Sequence, residues 1–284
     1  MKVLVLGGSG MAGHTIALYF QKQNHNVEIL SRRKVDYCNT IVGDATDYQE
    51  LEKLILDGNY DAVINAIGIL NQFAEEDKAN AVALNSYLPH FLSKITENTS
   101  TKIVHMSTDC VFSGKEGNYS EKSLRDGEKF YDRSKALGEL NNSKDITLRT
   151  SIIGPDIKET GIGLFNWFMK QDGQLKGFTN AIWTGVTTLT LAKAMEKAII
   201  EDLNGLYNLV NNNKINKFEL LKLFNKHFKD NELDIIPFEN EKVDKSLVNT
   251  RDDFSFNVPP YEHMIIEMKE WVIENKEIYS HYKI

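Results

Sequence analysis

The chain has 284 residues, 42% hydrophobic, 10% aromatic and 26% charged, which excludes a collagen, a coiled coil and a disordered chain. Forty acidic against 33 basic side chains leave a net charge of -7, so nothing electrostatic points to nucleic acid or an anionic membrane as the main partner. Cys38 and Cys110 are too few for a disulfide framework and lack zinc-ligand spacing, no run nears the roughly 18 apolar residues of a membrane span, and the N-terminal apolar run Val3 to Leu6 stops at Gly7, too short for a signal peptide. A reduced, cytoplasmic protein without a metal site is expected.

In the first half, short apolar runs alternate with helical patterns. Strands are predicted at Lys2–Leu6, Asn26–Ser31, around Ile41-Val42, at Asp61–Ala66, Lys102–Ser107 and Ile146–Thr150. Helices are predicted near Ala12–Gln23, Tyr48–Leu56, Ala79–Thr96 and Tyr131–Leu140. Runs such as Lys-Val-Leu-Val-Leu are apolar on both faces, as a buried parallel sheet requires, and the strand–helix–strand rhythm implies right-handed crossovers. After about Gly154 the rhythm changes: helices are predicted at Leu164–Lys170, Thr190–Ile200, Phe218–Phe228 and Tyr261–Lys276, and a strand at Gly205–Val210. Asp230 to Asn257 reads as polar and irregular, and the charged run Glu239–Lys245 as a solvated loop. The expected fold is α/β: a Rossmann doubly wound parallel sheet with a smaller C-terminal α/β substrate-binding lobe. The sheet domain is drawn at residues 1–153, with 181–211 returning to it, and the lobe at 154–180 and 212–284.

The first predicted strand runs straight into Gly7-Gly8-Ser9-Gly10-Met11-Ala12-Gly13, where a helix begins. In a dinucleotide site the first glycine permits the tight turn and the second lets backbone approach the pyrophosphate. The third lets helix pack on strand, with free N–H groups facing the anion. Gly7, Ser9, Gly10, Met11 and Gly13 are therefore expected to hold a cofactor, against the blander reading of a glycine-rich turn. After the second strand an NAD site would usually carry Asp or Glu for the ribose 2′-hydroxyl. Arg32 and Arg33 stand there instead, offering forked donors to a 2′-phosphate or lying simply on the solvated surface. NADPH is thus the expected cofactor, with NADH the alternative. Asp44 and Ala45 sit where such folds touch the adenine, and Asn65, Ala66 and Gly68 follow a strand at a place where small residues let a cofactor pass.

Tyr131 and Lys135, four residues apart, share one helix face. A phenol titrates near 10 and is a poor proton donor or base at neutral pH unless tuned, and a nearby ammonium favours the phenolate. Predicted strand Lys102–Ser107 ends in Ser107-Thr108-Asp109, so Thr108 lies at the carboxyl edge of the sheet, where such folds bind ligands. It could orient a substrate carbonyl or merely cap the strand end.

The glycine pattern, the strand-end hydroxyl and Tyr-x-x-x-Lys resemble the extended short-chain dehydrogenase/reductase superfamily. More narrowly, Ser107 to Gly114 resembles the S-T-D-Y-V-F-D-G signature of the dTDP-4-dehydrorhamnose reductases, Tyr131 to Glu139 their Y-G-x-x-K-xx-G-E, and Arg149-Thr150-Ser151 their R-T-S. The resemblance runs to about residue 200. It implies Thr108, Tyr131 and Lys135 as the catalytic triad: Tyr131 as proton donor to the C4 oxygen of a nucleotide-linked 4-keto-6-deoxy sugar, Lys135 also holding the nicotinamide ribose. It further implies hydride delivery by NAD(P)H and a place in deoxysugar and polysaccharide biosynthesis. Asn85 matches an asparagine the superfamily often carries in its central helix, or else is a packing amide. A helix-mediated homodimer is common in the superfamily.

Two departures from the pattern matter. Cys110 replaces the signature's tyrosine, and Ile152 stands where a tryptophan is usual. Both positions lie near the sugar in the family, so Asp109 and Cys110 are expected to face substrate, with room for an N-acetyl group on a UDP-linked sugar. Cys110 has no adjacent base and reads as a packed thiol rather than a nucleophile. Asn180 and Trp183 line the expected sugar cleft or else pack between lobes. Phe218, Leu221, Phe224 and Phe228 repeat at helical spacing as a core stripe. The rival functions are an epimerase or dehydratase of the same superfamily and a non-catalytic dinucleotide sensor.

Overall fold

A computed structural model of the chain describes residues 1–239 and 241–284. Six strands in chain order, β1 (Lys2–Leu6), β2 (Asn26–Ser31), β3 (Asn39–Val42), β4 (Ala62–Asn65), β5 (Lys102–Ser107) and β6 (Ile146–Arg149), join the strand Gly205–Asn208 in one seven-stranded sheet. The order is Gly205–Asn208, β6, β5, β4, β1, β2, β3, and every pairing is parallel. Parallel neighbours need crossovers, and helices supply them on both faces. The strand order reverses beside β1, between β2 and β4, so the loops after β1, β2 and β4 open onto one crevice.

Helix Met11–Lys22 follows β1 directly and packs against helix Thr188–Ile200 on one face. One continuous apolar core joins Val3 and Val5 of β1 and Ile16 of helix Met11–Lys22 to Phe165, Phe168, Phe224 and Met264. Within the predicted stripe, Leu221, Phe224 and Phe228 are buried and Phe218 is half-buried.

The lobe carries more β-structure than its sequence pattern suggests. Asp234–Phe238, in the stretch expected to be irregular, pairs in parallel with Gln174–Phe178, and Val243–Asp244 pairs with Ala181–Trp183. The period-2 signal is hidden because the first strand contains Pro237 and the second is two residues long. The charged run 239–245 is likewise not wholly solvated. Asp244 is buried and paired with Lys214 at 2.9 Å, while Asn240 lies outside the described residues.

The single helix expected over Ala79–Thr96 is built from Lys78–Ala81, a π-helical turn at Val82–Tyr87 and Leu88–Ile95. Such π-turns occur mostly as single bulges, frequently at functional sites. Pro89 lies in the first turn after this one, where its missing N–H is tolerated. An unanticipated helix, Asn71–Glu76, precedes it. Among the described residues no helix is long and apolar enough to cross a membrane.

Candidate active site

The glycine loop after β1 is shaped by backbone contact. Gly7 has φ +78° and its N–H donates to the Leu30 carbonyl at 3.1 Å, tying the β1 turn to β2. A Cβ on Gly13 would lie 2.2 Å from the Gly7 oxygen, so only glycine lets the helix start this close to the strand. Gly10 is different: a Cβ there would meet only the Gly7 oxygen, at 3.4 Å, an ordinary contact. The protein itself therefore has no packing reason for glycine at position 10. Its bare backbone opens a cavity of about 540 Å³ bounded by Gly7, Ser9, Gly10, Arg32 and Asp44. Ala45, Ala66 and Gly68 continue the wall.

Other expected cofactor residues sit elsewhere. Met11, Gly13 and Arg33 are not in the cavity wall, and Arg33 is an exposed side chain. Asn65 is fully buried at the end of β4, with its amide against the ring of His105 at 3.2 Å and its oxygen accepting from the Ile67 N–H at 3.2 Å. It shapes the loop that bears Ala66 and Gly68 rather than lining the cleft. Asp44 accepts from the backbone and hydroxyl of Thr46, and these bonds, with Arg32 contributing, hold its carboxyl below the usual value.

Thr108, Tyr131 and Lys135 converge at the carboxyl end of β5. The Thr108 hydroxyl accepts from the Cys110 N–H and donates to Asp109 Oδ1, each at 3.1 Å, so it does cap the short turn Asp109–Val111. It also lies within hydrogen-bonding reach of the Tyr131 phenol. The Tyr131 ring is buried among Ala74, Ala81, Ile69, Cys110 and Phe130. Burial first, then Cys110, pushes the phenol pKa upward, and only Thr108 pulls it down among the strongest influences. Lys135, one helical turn on, is buried as well. Its Nζ donates to the Met106 carbonyl at 2.7 Å, and burial lowers its pKa to about 8.

Asn85, in the π-helical turn, binds Ile69 in both directions (its oxygen accepting at 2.8 Å, its amide donating at 2.9 Å) and donates to Ser134 Oγ at 3.0 Å. It thereby fixes the loop after β4 against helix Phe130–Leu137.

Two cations that the sequence pattern concealed come from the lobe. Lys217, at the first turn of helix Lys217–Phe228, sits 5.0 Å from the Trp183 ring centroid. Burial lowers its pKa to about 8, while Asp109 and Cys110 pull it back up. Lys245, in the run read as solvated, also acts on Asp109 and Cys110. Burial raises the Asp109 carboxyl and both lysines counter it. Burial and Asp109 push the Cys110 thiol up to about 12, which fits the packed-thiol reading. Trp183 is buried, and its Nε1 has no hydrogen-bond partner among the described residues. Asn180 is half-buried in the turn before Ala181–Trp183, and its carbonyl accepts from the Val243 N–H. Among the described residues no cluster of His, Cys, Asp and Glu could hold a metal.

The profile of the RmlD substrate binding domain matches residues 1–252. Among solved structures, a dTDP-4-dehydrorhamnose reductase from Bacillus anthracis in complex with NADP superimposes with a TM-score of 0.80 at 19% identity, covering 97% of this chain and 99% of that one. A hypothetical dTDP-4-dehydrorhamnose reductase from Sulfolobus tokodaii does so at 0.76 and 22% identity, covering 92% and 98%. A probable low-salt glycan biosynthesis reductase, Agl14, from Haloferax volcanii is 28% identical over 143 residues, 49% of this chain and 48% of that protein, so the match spans about half the length of this curated relative.

Proposed function

Because the chain belongs to the RmlD substrate binding domain family over residues 1–252, we propose that it is an NAD(P)H-dependent reductase of the C4 ketone of a nucleotide-linked 4-keto-6-deoxy sugar, serving deoxysugar and cell-surface polysaccharide synthesis. The observation that carries this reading is the convergence of the Thr108 hydroxyl and the buried Tyr131 phenol at the carboxyl edge of β5, on the sheet edge that also bears the glycine loop. NADPH is favoured over NADH because Arg32, not a carboxylate, lines the cleft after β2. The bare backbone at Gly10 fits the close approach of a pyrophosphate.

The reduced nicotinamide supplies the hydride when bound. The chain's own part is acid catalysis and positioning. With its pKa raised by burial, Tyr131 stays a neutral phenol across the working pH range, suited to donating a proton to the oxygen of a reducing carbonyl. Thr108 orients that oxygen and the phenol. Lys135, anchored on Met106, holds the nicotinamide ribose in this reading. Asp109, Cys110, Asn180 and Trp183 form the sugar side in this reading. Cys110 leaves the sugar more room than the tyrosine of the family pattern, so a UDP-linked N-acetylated substrate is the second reading.

The experiment is NADPH oxidation followed by nicotinamide absorbance against a panel of 4-keto-6-deoxy sugars: dTDP-linked hexuloses with and without a 3,5-epimerase, and UDP-linked N-acetylhexosaminuloses. Consumption with one member establishes the reductase and names its branch. Silence across the panel while NADPH still binds transfers the reading to an epimerase or a sensor.

The glycine loop has its own test. Gly10→Ala keeps the fold, since its φ of -91° is open to alanine and the added methyl meets nothing closer than 3.4 Å. Its melting temperature should stay near wild type while coenzyme affinity falls about tenfold or more, the order of one lost charge-assisted hydrogen bond. Gly13→Ala should lose both, because its Cβ would strike backbone at 2.2 Å. Equal coenzyme affinity for Gly10→Ala and wild type removes the pyrophosphate from this loop.

A further inference from the structure

Taking the dinucleotide reading as its premise, we infer that Lys158, from the lobe side, closes the cofactor cleft as a second phosphate-binding cation opposite Arg32, and that the C-terminal segment holds it there. Three charged residues line the 540 Å³ cavity: Arg32 and Asp44 from the sheet side, Lys158 from the loop after Gly154. No carboxylate among the described residues is ion-paired with the Lys158 ammonium, although Asp156 and Glu159 are its near neighbours in sequence. A dinucleotide brings at least two phosphate charges, and Asp44 opposes Arg32 locally, so one cation is a poor match.

The loop bearing Lys158 is built rather than loose. Its N–H donates to Asp156 Oδ1 at 2.9 Å, and its carbonyl accepts from the Gly161 N–H at 2.9 Å. The fully buried Asn166 donates to the carbonyls of Glu159 at 3.0 Å and Gly161 at 2.6 Å. Tyr282, near the C-terminal end of the described chain, locks this arrangement: its hydroxyl donates to Asn166 Oδ1 at 2.8 Å and accepts from the Asp156 N–H at 2.9 Å. At the other end of the loop, a Cβ on Gly163 would sit 3.0 Å from the Met11 sulfur, so the loop rests on the start of the phosphate-facing helix.

The same C-terminal segment reaches the opposite wall. Tyr279 and Trp271 hydrogen-bond at 3.0 Å, and Tyr279 contacts His14 Nε2 at 2.8 Å. Burial holds His14 neutral, with its pKa lowered to about 4, and its Nδ1 donates to the Gly10 carbonyl at 2.9 Å. One segment thus sets the position of both sides of the cleft. Tyr282 acts as a positioning residue through Lys158, and Tyr279 through the glycine loop.

The test is fluorescence titration of NADPH and NADH into wild type, Lys158→Gln and Tyr282→Phe, without sugar substrate. Lys158→Gln should weaken NADPH about tenfold, as loss of a charge-assisted contact does. If NADH binding is unchanged, the lysine grips the 2′-phosphate, and if both weaken alike, it grips the pyrophosphate. Tyr282→Phe should weaken the coenzyme less, and should add nothing in the Lys158→Gln background, an outcome general loosening of the fold would not give. Unchanged affinity for both coenzymes in Lys158→Gln overturns the clamp. Wild-type protein that binds neither coenzyme overturns the dinucleotide reading itself.

Discussion

Tyr131→Phe is expected to lower kcat by about 10²–10⁴-fold, the usual contribution of a positioned general acid, while the dissociation constant for NADPH and the melting temperature stay near wild type. The ring keeps its apolar seat among Ala74, Ala81 and Ile69 when only the hydroxyl is removed. Thr108, the neighbour proposed to align with the phenol, already satisfies its own hydroxyl on Asp109 and the Cys110 N–H. Truncation therefore orphans no buried partner, and the usual penalty for one does not arise. KM should change little, because the phenol acts in proton transfer rather than in holding the nucleotide. A companion pair separates orientation from folding: Thr108→Ser keeps the hydroxyl and should retain most activity, whereas Thr108→Val loses both the turn cap and the alignment. Steady-state rates with the responding sugar measure all three. A Tyr131→Phe enzyme with undiminished kcat would remove the phenol from the chemistry.

The parts of this site that are legible in sequence are those whose signal is local. Buried parallel strands are apolar runs in any context, and β1, β2 and β5 appear at their observed bounds. Gly7 is required by its own φ of +78° and Gly13 by its close approach to the Gly7 carbonyl, both within one short loop. Tyr131 and Lys135 advertise themselves through one helical turn. What is not legible comes from far along the chain. Lys217 is a lysine at the start of an amphipathic helix, indistinguishable by pattern from a solvated one until the lobe folds it onto Trp183 and toward Asp109. Lys245 hides in a charged run, and Lys158 lies in an irregular loop whose shape depends on Tyr282, more than a hundred residues away. Lys135 sits on the helix face as expected, and what spacing does not show is that its ammonium is anchored on the Met106 carbonyl of β5.

Glu139 and Arg149 each sit in a motif, but neither motif announces that they are partners. The fully buried Arg149 forks onto the carboxylate, Nε to Oε1 at 2.8 Å and NH2 to Oε2 at 2.7 Å, and also reaches Asn208 Oδ1 at 3.2 Å on the neighbouring strand. Ser107 Oγ donates to the same carboxylate at 2.6 Å, one residue before Thr108, and Arg125 approaches it at 3.0 Å. Removing one charge of such a pair leaves the other buried and uncompensated, at a cost of about 3–5 kcal/mol, whereas replacing both with apolar residues costs far less. Glu139→Gln and Arg149→Met are each expected to lose stability of that order by denaturant unfolding. The Glu139→Leu, Arg149→Met double variant should lose much less than the sum of the single losses. Strictly additive losses would mean that the two side chains do not act as a pair. The pH dependence has a defined sign. Burial alone would raise the Glu139 carboxyl, but Arg149, with Ser107 and Arg125, holds it below the ordinary 4.5. The stabilisation is therefore complete above about pH 4.5 and is lost as pH falls through the lower folded-state value. Acid should accordingly shrink the stability gap between wild type and Glu139→Gln, and a gap that stays constant down to the onset of acid unfolding would show that the Glu139 charge contributes nothing.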